Sequence, residues 1–164
     1  MNKRIRKEES MMGIQIVNLA DRMEYYETVC QWIWKQWGSD KPIENVKYAV
    51  LHNSQTDRVP MTFVALEGDE PVGTVSFWMN DLSCRQDLSP WLACLYVSEE
   101  HRGKGIPREL QHRVIEEAKK LGYNELYLIT THDDYYERSG WDFIERAPKS
   151  NGDFTKIYRK DLRI

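Results

Sequence analysis

The sequence lacks the features that would place the chain in a membrane or in an oxidising compartment. Its apolar runs all fall short of the roughly 20 residues that a membrane-spanning helix needs, and the ten N-terminal residues contain no apolar signal core. Its three cysteines, Cys30, Cys84 and Cys94, are an odd number without Cys-x-x-Cys spacing. We therefore predict a cytoplasmic protein with reduced thiols and no membrane partner.

An excess of charge of one sign is also missing. The 23 basic and 26 acidic residues leave a formal net charge of −3 and are interspersed along the chain, so no nucleic-acid partner is predicted. The four histidines show no metal-ligand spacing, and no metal is predicted. A chain of 164 residues can bury one core. We place a single domain at residues 13–164, after a flexible extension at 1–12.

The pattern that remains is one of strands and helices around a central segment, Trp91 to Leu121. Residues 91–97 are apolar at nearly every position, as in a strand buried on both faces. From Ile106 to Leu121 apolar residues recur with helical spacing, and Gly122 is suited to end that helix. Further strands are predicted at 14–19, 61–66, 72–79, 125–130, 141–144 and 155–158, with helices at 22–37 and 39–52 and a short one before 141.

A short basic loop with two glycines joins the central strand to its helix. Gly103 and Gly105 flank Lys104, and glycine allows sharp bends and close approach because it has no Cβ. A helix N-terminus carries unpaired amide donors and a partial positive charge, so Arg102, Lys104 and Arg108 beside it favour an anion such as phosphate. A simple turn would explain the glycines alone, whereas the order of strand, basic loop and helix favours a phosphate site.

The segment from Val97 through Arg102-Gly103-Lys104-Gly105-Ile106-Pro107 resembles the acetyl-CoA-binding motif of the GNAT superfamily of N-acetyltransferases, Arg/Gln-x-x-Gly-x-Gly/Ala. The resemblance implies acetyl-CoA as co-substrate, with its pyrophosphate bound by backbone amides. It implies these cofactor-binding residues: Leu95, Tyr96, Val97, Arg102, Gly103, Lys104, Gly105, Ile106, Pro107 and Arg108. It also implies the α/β GNAT fold, with helices on both faces of a mixed, mostly antiparallel sheet that contains one central parallel strand pair.

Pro107 departs from the motif, which has Gly or Ala at this position. Proline suits the first helical turn because its φ is already helical, but it has no amide to donate to a pyrophosphate. Since a hydrogen bond to a charged group contributes about 1.5 to 3 kcal/mol, we expect CoA affinity to be about tenfold lower than a glycine would give.

A second segment, Tyr136-Glu137-Arg138-Ser139-Gly140-Trp141, is similar to the family's Tyr-x-x-x-Gly-Phe sequence. In the family this tyrosine lies near the CoA sulfur, which implies Tyr136 as the general acid for a thiolate whose pKa is about 8.5. The alternative is a core aromatic before a turn, the role that we expect for Tyr135. The Asn and Ala that often precede the family's tyrosine are absent. Three residues could replace their polar contact: Thr130, Thr131 and His132.

The central strand carries no residue that could deprotonate an ammonium group. Some family members have Glu or His there, whereas the inferred equivalent positions here are Trp91 and Ala93. The remaining candidates for a general base are Glu67, Asp81, Asp87 and His132. We expect a buried, inert Cys94, which favours direct transfer in a ternary complex over an acyl-enzyme. Backbone donors near residues 95–97 would then polarise the thioester carbonyl.

The sequence thus predicts an acetyl-CoA-dependent N-acetyltransferase, an acyltransferase whose acceptor is a primary amine on a small molecule or peptide. A homodimer is compatible with this prediction. The competing hypothesis is a weak or inactive GNAT-fold module that binds acyl-CoA or a protein partner, as Pro107 and the missing strand base suggest. Aromatic residues that could line the acceptor side are explained equally well by core packing: Trp32, Trp34, Trp37, Tyr48 and Trp78. His101 and His112 are expected at the surface.

Overall fold

The computed structural model describes residues 13–163, so the extension predicted at 1–12 lies outside the described residues. The strands are β1 Ile14–Asn18, β2 Met61–Glu67, β3 Glu70–Trp78, β4 Trp91–Val97, β5 Glu125–Thr130, β6 Asp142–Pro148 and β7 Phe154–Asp161. The helices are α1 Tyr26–Ile33, α2 Ile43–His52 and α3 Ile106–Lys120. Each predicted strand therefore has its counterpart. No helix within residues 13–163 is long and apolar enough to cross a bilayer.

The seven strands form one sheet in the order β1-β2-β3-β4-β5-β7-β6. Strand β4 runs parallel to β5, with Trp91 opposite Tyr127. The pairs β1–β2, β5–β7 and β6–β7 are antiparallel. The predicted α/β fold, a mixed sheet with one parallel strand pair, is confirmed.

The chain divides into two compact units. Within the described residues, the first comprises 13–76 together with Cys94–Arg113, and the second comprises Phe77–Ala93 and 114–163. The first unit's core is formed by buried side chains of residues 19–33, α2 and β2: Leu19, Tyr25, Val29, Cys30, Ile33, Val50, Val64 and Leu66. The second unit has a cluster of its own: Leu82, Trp91, Tyr127, Ala147 and Ile157.

The first predicted helix differs from the observed one. Instead of a continuous helix over 22–37, two 3₁₀ turns precede α1, and a π-helical turn, Trp34–Gly38, follows it. Asn18 caps the first 3₁₀ turn, because its Oδ1 accepts a hydrogen bond from the Ala20 amide at 2.9 Å. The Trp34 indole donates to the Lys41 carbonyl at 2.8 Å, which connects the π turn to the start of α2.

Helix α3 follows its predicted apolar spacing closely. The side chains with no exposed surface are Ile106, Leu110, Val114 and Ala118. Gly122, at a φ of 86°, ends the helix as predicted. Its amide donates to the Lys119 carbonyl and the Tyr123 amide donates to the Ala118 carbonyl, both at 3.0 Å, which is the Schellman pattern. Leu121 lies beyond the helix and is 38% exposed, so its predicted place on the buried face is wrong.

Strands β3 and β4 approach closely at Gly73. A Cβ added there would lie 2.9 Å from the Tyr96 carbonyl oxygen and 3.2 Å from Leu110 Cδ1. Beyond this contact, the Ser98 amide donates to the Val72 carbonyl at 2.9 Å. The absence of a side chain at Gly73 thus lets β3 fix the position at which the chain leaves β4 for the basic loop.

Candidate active site

The basic loop has the backbone that its glycines permit. Gly103 and Gly105 have φ values of 78° and 80°, in the left-handed region that favours glycine. A Cβ at either position would meet no atom within 4 Å. The loop surface is therefore open. The reason for glycine at these two positions is the positive φ and not a lack of space. Helix α3 begins at once with Ile106 and Pro107, so the loop lies at a helix N-terminus as predicted.

Arg102 is tied back to the strand that precedes the loop. Its Nε donates to the Val97 carbonyl at 3.1 Å, and its guanidinium carbon lies 6.0 Å from the centre of the Tyr96 ring. Lys104 and Arg108 are exposed, and neither forms an ion pair with a residue of the described range 13–163. Cationic side chains thus surround an open loop, an arrangement that suits an anionic group.

The aromatic residues near the first two helices do not all lie in the core. Trp32 is half-buried and its ring centre lies 5.4 Å from that of Tyr96. Trp37 is 48% exposed and Tyr48 is 72% exposed, so core packing is the wrong explanation for these two residues.

Tyr136 has a buried ring in an aromatic cluster. It is 8% exposed, and its ring contacts those of Tyr135, Trp141 and Tyr158. Burial raises the pKa of Tyr136 well above its usual value, and Tyr135 adds to the shift. The Tyr136 hydroxyl makes no hydrogen bond to a residue in 13–163, whereas the neighbouring Tyr158 hydroxyl donates to Glu137 at 2.7 Å. The hydroxyl of Tyr136 therefore stays protonated at neutral pH and can donate to a ligand.

The turn after Tyr136 fixes its place. A 3₁₀ helix, Glu137–Ser139, is the short helix that the sequence predicted, and the Trp141 amide donates back to the Tyr136 carbonyl at 3.1 Å. Tyr135 is 42% exposed, so its expected core position is wrong. Of the three residues expected to supply a polar contact, Thr130 is buried and its hydroxyl accepts the His132 amide at 3.0 Å.

The four candidate bases have different surroundings. Burial raises the pKa of Asp81 to about 7, against the opposing charge of Lys149. A hydrogen bond from Arg85 holds the pKa of Asp87 below its usual value, which makes Asp87 a weaker base. Glu67 Oε2 lies 3.2 Å from His101 Nε2, and His132 is exposed. Of the two aspartates, Asp81 thus has the pKa that better suits a base at neutral pH.

The loop that carries Asp81 is fastened to the turn between β6 and β7. The Ser83 and Ser150 hydroxyls lie 3.1 Å apart, and the Cys84 thiol donates to the Pro148 carbonyl at 3.2 Å. Asp81 itself makes no hydrogen bond to a side chain or amide within residues 13–163. A half-buried carboxylate without a donor is costly, and such groups are concentrated at functional sites.

Cys94 has an unusual backbone for a strand residue. Its φ of 49° is rare for a residue other than glycine and marks a local irregularity in β4. Its side chain is half-buried against the first unit's core, so the expectation of full burial is wrong. Of the three cysteines, Cys30 is fully buried, and burial raises its pKa to about 11. No group of three or more His, Cys, Asp or Glu side chains in residues 13–163 is placed to hold a metal.

The comparison with known proteins identifies the family. Residues 26–141 match the sequence model described as the Acetyltransferase (GNAT) family. The chain belongs to this family. The resemblance inferred from the basic loop and the tyrosine segment is thereby confirmed.

Individual relatives agree with the GNAT assignment. The chain is 28% identical over 129 residues to N-alpha-acetyltransferase 30 of Schizosaccharomyces pombe, a match covering 72% of this chain and 78% of the relative. A solved aminoglycoside 6'-N-acetyltransferase in complex with coenzyme A superposes with a TM-score of 0.73, at 15% identity, over 92% of this chain and 98% of that one. The NatC complex bound to Gag peptide and CoA gives 0.68 at 17% identity, over 90% and 98%. These structural likenesses show the fold.

Proposed function

We propose that this GNAT protein transfers the acetyl group of acetyl-CoA to a primary amine by direct attack in a ternary complex. The observation that carries the proposal is the open loop at the start of α3, where two left-handed glycines lie among unpaired cationic side chains. Family membership supports acyltransferase activity. The CoA in the solved relative supports the choice of co-substrate.

The loop residues fit the anionic part of CoA. Amides of Gly103, Lys104, Gly105 and Ile106 at the α3 N-terminus would donate to the pyrophosphate, and Lys104 and Arg108 would add charge. Pro107 has no amide hydrogen to donate, so it would contribute only a φ suited to the first turn of the helix. Leu95, Tyr96 and Val97 on β4 would lie along the rest of the cofactor, with Arg102 holding the loop to the strand.

Two residues of the second unit would move the protons of the reaction. Asp81 would take a proton from the ammonium acceptor, directly or through water, and so expose the nitrogen lone pair. The amine nitrogen then forms a bond to the acetyl carbon, the C–S bond breaks, and the nitrogen releases its second proton to water. The Tyr136 hydroxyl would protonate the departing thiolate. Backbone amides near residues 95–97 would stabilise the oxyanion that forms between these steps.

The acceptor that we propose to test first is the N-terminal α-amine of a peptide, since the curated relative is named as an N-alpha-acetyltransferase. An aminoglycoside amine is the second choice, because a structural neighbour is an aminoglycoside 6'-N-acetyltransferase. Both are primary amines, as the sequence predicted. The cytoplasmic location, the homodimer and the absence of a nucleic-acid partner stay predictions.

The proposal is tested by incubating the protein with acetyl-CoA and a panel of peptides and amines, with free CoA thiol as the readout. Wild-type protein should release CoA in proportion to the acetylated amine. Tyr136→Phe should lower kcat by about 10²-fold, the usual scale for loss of an acid catalyst. Tyr135→Phe, at the exposed neighbouring hydroxyl, is the matched control and should match wild type. Tight CoA binding without turnover on any amine would instead favour the inactive module.

The raised pKa of Asp81 predicts how the reaction depends on pH. A carboxylate acts as a base only when deprotonated, so kcat/KM should rise with pH and level off above about 7. In Asp81→Asn this acidic limb should disappear, and the rate should fall most above pH 7, where Asp81 of the wild type is deprotonated. An unchanged acidic limb in the variant would exclude Asp81 as the base.

Thermal unfolding gives an independent control on Asp81. Because the folded-state pKa lies above that of the unfolded chain, the folded protein loses stability as pH rises through about 7. Asp81→Asn should therefore melt at a higher temperature than wild type at pH 8 and at nearly the same temperature at pH 4. Asp87→Asn removes a carboxylate whose pKa is lowered, so it should not show this gain at pH 8.

Pro107→Gly should raise the affinity for CoA by about tenfold, because it restores one amide donor to a charged pyrophosphate. Isothermal titration with CoA measures the change. Pro107→Ala restores the amide without adding glycine's flexibility and should gain as much. Equal affinity in all three proteins would show that this amide does not reach the cofactor.

A further inference from the structure

His101 connects the start of the basic loop to a distant turn. Its Nδ1 lies 2.7 Å from the Ser98 hydroxyl, and its Nε2 lies 3.2 Å from Glu67 Oε2 at the turn between β2 and β3. The His101 side chain is only 12% exposed, although it was expected at the surface. All three residues lie in the first compact unit. A single imidazole thus bridges two segments that are far apart in the chain.

The two ring nitrogens of His101 have different partners. The Glu67 carboxylate lies at ion-pair distance from Nε2, and the Ser98 hydroxyl forms a hydrogen bond of 2.7 Å with Nδ1. Ser98, His101 and Glu67 are also the residue types of a hydrolytic triad, but in a triad the serine meets Nε2 and the carboxylate meets Nδ1. The reversed order here favours a structural bridge over a nucleophile.

The turn that receives the bridge is itself held in place. The Tyr25 hydroxyl donates to the Asp69 carbonyl at 3.0 Å, and Tyr25 is 8% exposed in the first unit's core. Glu67, the last residue of β2, therefore borders a turn that is fastened to Tyr25 in the first unit's core. A contact with this turn can hold the loop because the turn cannot easily follow the loop's motion.

Besides this bridge, the loop is restrained by Arg102, whose Nε donates to the Val97 carbonyl at 3.1 Å, and by two backbone contacts. The Ser98 amide donates to the Val72 carbonyl at 2.9 Å, and the His101 amide donates to the Ser98 carbonyl at 3.0 Å. Two glycines follow almost at once, and a Cβ at either would meet no atom within 4 Å. Glycine loses more conformational freedom on ordering than any other residue. A side-chain contact immediately before the glycines would reduce that cost before the cofactor arrives.

We propose that His101 is a positioning residue that orders the cofactor loop by holding it to Glu67. The inference rests on the proposed function, since it assumes that the loop binds CoA. It assigns a role in cofactor affinity to Glu67, which lies on another turn and was considered above only as a base. The effect should appear in CoA affinity and in the KM for acetyl-CoA rather than in kcat.

A double-mutant cycle between His101→Asn and Glu67→Ala tests the proposal. Asparagine reaches about as far as Nδ1 and so keeps the contact with Ser98 while losing the one with Glu67. Titration with CoA should show about a two- to fivefold higher Kd for each single variant, the range expected for a partly exposed ion pair. The double variant should lose no more than either single one. Glu70→Ala, an exposed carboxylate on the same hairpin, is the matched control and should bind as wild type does.

Amide hydrogen exchange of the cofactor-free protein separates this inference from the proposed function. Amides in 98–106 should exchange faster in Glu67→Ala than in Glu70→Ala, while those of β5 and β7 remain unchanged. If wild type binds no CoA, the proposed function fails, and the exchange data still decide whether the bridge orders the loop. Additive losses in the cycle, an unchanged Kd in Glu67→Ala, or exchange that rises equally throughout the protein would overturn the proposal.

Discussion

The close approach of β3 and β4 at Gly73 is the constraint on which the proposed cofactor site depends. With a Cβ position only 2.9 Å from the Tyr96 carbonyl, no larger residue fits there without moving a strand. The contact fixes the end of β4, and the Ser98 amide continues it by bonding to Val72. From that fixed point the chain has a few residues in which to reverse into α3. Two left-handed glycines make this turn and leave the helix N-terminus open.

Burial shifts the pKa of two groups of the second unit in the same direction. Removing a charge from water raises the pKa of both Asp81 and Tyr136, because each carries its charge in the deprotonated form. The starting values differ, so the outcomes differ. The carboxyl of Asp81 titrates near neutral pH and suits a base, whereas the hydroxyl of Tyr136 remains protonated and suits a donor. The different starting pKa values, and not burial alone, thus separate the two proposed roles.

The parts of the molecule that could be predicted from the sequence are those with a local cause. Helix α3 was predicted because its apolar residues repeat with the helical period, and the loop because glycine is the residue that tolerates its backbone. Leu121 continues the same period but lies just after Lys120, the last residue of the helix, and is 38% exposed. Apolar identity alone could not tell that Trp37 and Tyr48 face solvent, since tertiary packing decides which aromatic residues are covered.

The features that the sequence did not reveal depend on distant partners. His101 resembles a surface residue until folding brings Glu67 to its ring, and no spacing rule connects the two. Asp81 was one of four candidate bases. In the folded chain burial raises its pKa, whereas a hydrogen bond from Arg85 lowers the pKa of Asp87. The family match tests the fold and the class of chemistry, whereas the roles of these side chains are proposed from their surroundings.

Amide chemical shifts during a titration with CoA test the central claim most directly. If the loop at the start of α3 holds the pyrophosphate, the amides of Gly103, Lys104, Gly105 and Ile106 should show the largest shifts. Pantetheine, which has the thiol arm without the pyrophosphate, should leave them nearly unchanged. Saturation by CoA without a change at these amides would contradict the account.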